Sequence, residues 1–252
     1  MRYFILLCLG IVYSFSMDKI LIDVKQVTIP KLKGELSKYS YSVKNKKITP
    51  FYISKYEITN KDYNKYLKAQ NKKFKNYDEY ELNEPVVNID FYTAQKVCKF
   101  YKGRLPTELE WIVAASFKVA KSKCYEYLVK NRFYPYPTAK YPLNNNDPQI
   151  KCMLKDDDEI EAEFIGSELS EVEYSYENIN GVYGMLGNVW EWVNSDRIYF
   201  GKKYKVIKGG SYANFKEKIF FDSRISNFLV ATSKLKNVGF RCVWDKKRKG
   251  EK

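Results

Sequence analysis

The amino-acid sequence predicts one α+β domain, and three observations carry that prediction. The chain has 252 residues, 45% of them apolar and 17% aromatic, which is enough to bury a real core and too much for a disordered chain. Short strand-like runs lie near both ends and flank a stretch with well-marked helix starts. No internal repeat or linker-like composition divides the chain.

The elements follow in order. Residues 1–16 are expected to be a secretory signal: Arg2 gives the basic end, Tyr3 to Tyr13 carry no charge, and Ser14-Phe15-Ser16 is a small-x-small cleavage pattern. The run is shorter than the ~20 apolar residues of a bilayer span. Cys8, preceded by Leu7 inside the run, does not read as a lipid-anchor site. Ile20-Leu21-Ile22, Val27-Thr28-Ile29 and Phe51-Tyr52-Ile53 read as strands. Thr59, with Asp62 in the first turn, opens a helix carrying Tyr63, Tyr66 and Leu67 on one stripe. Ala94, Val97, Cys98 and Tyr101 fall at i, i+3, i+4 and i+7, and Gly103 ends that helix. Thr107 and Glu110 form a capping box that starts a third helix, bearing Trp111, Ala114 and Ala115. Between about 120 and 180 the pattern degrades. Asn144-Asn145-Asn146-Asp147-Pro148 is a loop, and the acidic stretch from Asp156 to Glu173 reads as a solvated insertion or, more sharply, a calcium loop without EF-hand spacing. Val206 to Tyr212 and Val238 to Val243 are short strands with loops, and the basic tail 246–252 is a solvated end, leaving 17–245 as the domain.

Composition excludes several chemistries. Histidine is absent, which removes Ser-His and Cys-His dyads, His-ligated zinc or iron, and an imidazole base. The net charge of +14 rests on lysine, since only seven of the 44 cationic residues are arginine; lysine suits a solvated surface or a polyanion such as a lipid headgroup or acidic glycan better than base readout. Export makes nucleic acid an improbable partner, places the protein in the periplasm or outside the cell, and leaves Cys98, Cys124, Cys152 and Cys242 in an oxidising compartment. Four cysteines allow three pairings, and without a CxxC neither a dithiol redox site nor a zinc knuckle has support.

Five segments, in order, resemble one family. They are Phe51 to Asn60 (FYISKYEITN); Pro85-Val86-Val87 with Ala94 and Cys98; Gly103 to Trp111 (GRLPTELEW); Asn180 to Trp192 (NGVYGMLGNVWEW); and Gly209-Gly210-Ser211-Tyr212 with Gly239-Phe240-Arg241. Over about residues 24–245 the chain resembles the formylglycine-generating enzyme, or sulfatase-modifying factor, family. The resemblance implies a compact, loop-rich fold related to C-type lectins. It also implies a disulfide between Cys98 and Cys242, which leaves Cys124 with Cys152 as the residual pair. It offers calcium the Glu191 carboxylate and the carbonyls of Gly187 and Val189, whereas Gly184 stands where the family usually has Asp or Asn, one ligand short for an ion that takes roughly six to eight. Trp190 and Trp192 alternate with Glu191, so a strand there sends the rings one way and the carboxylate the other.

The chain departs from the family at its chemistry. Catalytic members carry two copper-binding cysteines shortly after Gly-Gly-Ser. Here Ser211 to Arg224 contains none; Asn214 stands at the first position and Ile219 near the second, and such side chains cannot replace thiolates on Cu(I). The iron-dependent sulfoxide synthases of the same family need a histidine triad that this chain lacks. Two functions remain. One is a non-catalytic, exported domain binding a peptide, a glycan or a periplasmic protein through the former cleft, with Trp190, Ser211, Tyr212, Asn214, Phe220 and Arg224 as candidates. The other is an oxidase or maturation enzyme of the siderophore type using different chemistry, with Glu217, Asp222 and Tyr212 as acid/base groups and Arg224 as anion anchor. A weaker third is an envelope protein using its lysines on anionic lipid.

Overall fold

The structure is a computed structural model that describes residues 17–116, 168–175, 177–178, 180–185, 187–214 and 223–246. The expected signal, the Cys124–Cys152 pair, residues 156–167 of the acidic stretch, Glu217, Phe220, Asp222 and the tail beyond Lys246 lie outside the described residues.

Strand β1 (Lys19–Ile22) pairs antiparallel with β4 (Phe51–Ser54), whose other edge takes the last strand, β9 (Val243–Asp245). The two ends of the domain therefore meet in one sheet. A separate hairpin joins β2 (Gln26–Ile29) to β3 (Val43–Lys47). Helix α1 (Asn60–Ala69) starts at the expected cap: Thr59 Oγ1 accepts from the Asp62 N–H, and the Asp62 carboxylate accepts from the Thr59 N–H and hydroxyl. Helix α2 (Glu79–Asn83) is a single turn with its own box, Asp78 and Glu81. Helix α3 (Phe91–Phe100) buries Phe91, Ala94, Val97 and Cys98 and ends where the Gly103 N–H donates to the Cys98 carbonyl. Helix α4 (Glu108–Ser116) begins at the Thr107–Glu110 box.

Strand β5 (Trp190–Tyr199) pairs antiparallel with β6 (Lys202–Lys208), which pairs with β7 (Asn227–Leu229), while β8 (Val238–Gly239) lies parallel on the other side of β5. The turn between β5 and β6 has two central residues, Phe200 (φ 45°) and Gly201 (φ 70°); both are left-handed, as the tight primed hairpin turn requires. A bulge between Trp192 and Asp196 bends β5 where it leaves the core.

The core has two lobes divided by β5. Trp190 and Trp192 pack with α3, Tyr101, Phe240 and Trp244, and the Trp192 indole N–H donates to the Ile89 carbonyl at 2.9 Å. The opposite lobe joins α4, β1, β2 and β4 through Trp111, Ile22, Ile53 and Val206. Cys98 and Cys242 are fully buried and disulfide-bonded, with Cα atoms 5.5 Å apart, as the resemblance implied. Among the described residues no helix is long and apolar enough to cross a membrane.

Candidate functional site

The segment from Gly103 to Trp111 supplies three of the polar side chains that fix the site's floor, Arg104, Glu108 and Trp111. Arg104 turns the corner before α4: its guanidinium donates to both carboxylate oxygens of Glu110, at 2.8 and 2.6 Å, and to Asp245 on β9 at 2.6 Å. The sequence reads this stretch as a corner and a cap. It does not foresee the tasks of Glu108 and Trp111, because their partners lie about 80–120 residues away.

Glu108 faces β6 and β7. The Lys208 ammonium, fully buried, donates to the Ile225 carbonyl at 2.7 Å and to Ser226 Oγ at 3.1 Å, and sits 3.5 Å from Glu108. The Ser226 hydroxyl donates to the same Glu108 oxygen, and Arg197 reaches it at 3.2 Å. A buried lysine is tolerated only with such a partner set.

Trp111 turns the other way. Its indole N–H donates to Glu191 Oε2 at 2.7 Å. Glu191 points away from Trp190 and Trp192, as strand alternation predicts, and meets Arg241. Arg241 is fully buried. Nε and Nη2 bind Glu191 at 2.6–2.9 Å, Nη1 donates to the Ser54 carbonyl and Nη2 to the Tyr183 carbonyl. A second carboxylate, Glu57, lies 3.7 Å from the same guanidinium. Its Oε1 accepts from Asn188 Nδ2 at 3.1 Å, while Oε2 is buried without a hydrogen-bond partner among the described residues.

Gly184 makes this possible. Its φ is +67°, and a Cβ there would stand 2.3 Å from a Glu57 oxygen. The position that appears in the sequence as a missing calcium ligand is, in the structure, the space that the Glu57 carboxylate fills. Two carboxylates thus share one guanidinium in a buried site. Burial, with Glu191 adding repulsion against the opposing pull of Arg241, pushes the Glu57 carboxyl up to about 8. Raised above its unfolded value, Glu57 contributes stability that is fully present below about pH 4.5 and is lost as pH rises through about 8. We predict that unfolding free energy falls across this window with a slope approaching about 1.4 kcal/mol per pH unit. In Glu57→Gln that slope disappears; denaturant melts at a series of pH values check it, and an unchanged slope would assign the proton elsewhere.

These residues, as placed, do not fit a calcium ion at Glu191. Both carboxylate oxygens already accept from Arg241, and one from Trp111 as well, so a cation there would face a guanidinium. Among the described residues no cluster of three or more carboxylate or cysteine side chains could hold a metal. The expected result is that calcium, or its removal by EDTA, moves the melting midpoint by less than about 1 °C, read by differential scanning fluorimetry. A rise of several degrees would mean that the ion displaces Arg241.

Above this floor lies the turn that follows β6. Ser211 is buried, and its hydroxyl accepts from Asn237 Nδ2 at 3.1 Å. The Tyr212 N–H donates to the Asn188 carbonyl; the side chain is half-buried, and its hydroxyl donates to the Lys236 carbonyl at 3.4 Å in an exposed contact. Burial raises the Tyr212 phenol above its ordinary range. The Asn214 backbone belongs to the short 3₁₀ turn Tyr212–Asn214. Trp190 is 3% exposed, so its ring forms part of the wall's interior and offers a ligand almost no surface. Arg224 is half-buried, beside Ile225, and its carbonyl accepts from the Tyr41 N–H. The structure therefore brings together Ser211, Tyr212, Asn188 and Asn237. Asn188 and Asn237 are site residues that sequence reasoning missed.

The sequence profile of the sulfatase-modifying factor enzyme 1-like domain matches residues 22–246. The chain is 27% identical to "Uncharacterized protein YfmG" of Bacillus subtilis (strain 168), over 78% of this chain and 46% of that protein. It is 31% identical to "Inactive C-alpha-formylglycine-generating enzyme 2" of Mus musculus, over 65% of this chain and 50% of that protein. It thus spans about half the length of these curated relatives. Among solved structures, PvdO from Pseudomonas aeruginosa superposes with a TM-score of 0.63 at 18% identity, covering 90% of this chain and 94% of that one.

Proposed function

This chain belongs to the sulfatase-modifying factor enzyme 1-like family, the family of formylglycine-generating enzyme, and from that premise we propose that it is an exported binding domain without cysteine-oxidase activity. Its ligand is a peptide, a glycan or another protein of the same compartment, held over the Ser211–Tyr212 turn. One observation carries the reading. The Arg104 corner and the Glu191–Arg241 pair are in place, while the segment from Ser211 to Arg224 holds no cysteine. Copper does not fit that donor set, because amide and aliphatic side chains do not replace thiolates on Cu(I). That an inactive formylglycine-generating enzyme is among the relatives supports the same reading.

The test is capture of ligands from the exported fraction by the full chain, compared with Tyr212→Ala and Arg224→Ala. Loss of a ligand by either variant supports the proposal; retention of every ligand by both overturns it. The alternative, an oxidase or maturation enzyme working in the same place, predicts stoichiometric copper or iron, or turnover of a thiol-bearing peptide, in protein purified from its own cells.

A further inference from the structure

The β5–β6 hairpin carries its most exposed apolar side chains at its tip. Phe200 is 86% exposed, Ile198 69% and Tyr199 43%, three consecutive residues on a turn that leaves the core beyond the β5 bulge. Folding does not explain Phe200. At φ 45° a primed turn is best served by Asn or Gly, and a bulky aromatic residue is strained there. Nor is the tip loose. Tyr199 contacts Phe200 and Phe228, with ring centroids 4.4 and 5.3 Å apart, and Phe228 contacts Tyr204 at 5.4 Å, so an aromatic stack ties the tip to β7.

Two exposed lysines, Lys202 and Lys203, follow the tip. Of the other cations between residues 196 and 205, Arg197 is held by Glu108, and Lys205 is largely buried over the Phe91 ring. Asp196 is bound by Lys203 and Lys205, and Lys202 has no carboxylate within ion-pair distance among the described residues. The whole chain is +14. A protruding apolar tip has no concave partner to match but sinks into a deformable surface. Aromatic rings prefer the headgroup level, and adjacent lysines add attraction to anionic lipid.

We propose that the β5–β6 hairpin docks the protein on an anionic lipid bilayer, with Ile198, Tyr199 and Phe200 at the interface and Lys202 and Lys203 on the headgroups. This surface is separate from the binding role of the Ser211–Tyr212 turn. Phe200→Trp in the full chain reports on it directly. The four native tryptophans, Trp111, Trp190, Trp192 and Trp244, are all buried, so the introduced indole is the one open to acrylamide. The apolar residues 1–16 can hold a chain on vesicles but cannot put this indole in the membrane. With vesicles of phosphatidylcholine and phosphatidylglycerol, its emission shifts to the blue and is quenched by brominated lipid; phosphatidylcholine alone has little effect. Adding Lys202→Gln and Lys203→Gln raises the lipid needed by about tenfold or more. A second reporter guards against misfolding: Ile198→Trp with Phe200→Asn, the residue the turn prefers, melts no lower than Ile198→Trp alone yet loses the quenching. An indole that stays open to acrylamide on anionic vesicles overturns the proposal. So does equal insertion into neutral ones, or shielding that grows with protein concentration without lipid, which would make the occupant a second copy of this chain.

Discussion

Arg241→Met is expected to lower the unfolding free energy by about 3–5 kcal/mol. The guanidinium is fully buried and answers two carboxylates and two backbone carbonyls. Methionine matches its length and packing but leaves Glu191 and Glu57 as buried acids without a cation. Total stability of a domain this size is on the order of 5–15 kcal/mol, so the variant will be marginal at room temperature. Adding Glu191→Gln and Glu57→Gln should recover more than half of the loss, since removing all the charges avoids the uncompensated ones. Chemical denaturation of the three proteins checks it. If the triple variant is no better than the single one, the loss comes from packing and the ion network contributes little.

Removing the disulfide is expected to cost a similar amount. Cys98 and Cys242 are separated by 144 residues, and by the loop-entropy account such a link contributes about 4–5 kcal/mol, less any strain. Cys98→Ala with Cys242→Ala should shift the denaturant midpoint accordingly, and reduction of the wild type under denaturing conditions should give the same endpoint. Both sulfurs are buried between α3 and the strand-like end of the chain, so reductant alone is expected to act slowly on the folded protein. Equal midpoints for the double variant and the wild type would show that packing, with no help from the crosslink, holds α3 against the C-terminal segment.

The elements that could be read from sequence were those whose cause is local. The caps at Thr59 and Thr107 work within three residues, and α3 shows its buried stripe in its own spacing. Strand β3 could not be read: Val43–Lys47 is one apolar residue followed by four polar ones, and it is a strand because β2 lies beside it. The same division runs through the site. Alternation along β5 placed Glu191 opposite the two indoles. Nothing near Lys208 signals its burial, because the neutralising Glu108 belongs to α4, a hundred residues earlier. Gly184 was visible as an oddity, but the reason for it is the carboxylate of Glu57, more than a hundred residues away. The family resemblance supplied what periodicity could not, including the Cys98–Cys242 pair.

The sheet order β1–β4–β9 has a mechanical consequence. Both terminal strands hang on β4, so tension between residues 17 and 246 loads their hydrogen bonds in shear. Once that sheet gives way, the crosslink carries the force past the 144 residues it encloses and keeps about 500 Å of chain from paying out. Pulled from its ends, the domain should lengthen by little more than the stretch from residue 17 to Cys98, and the part bearing the Ser211 turn should stay slack.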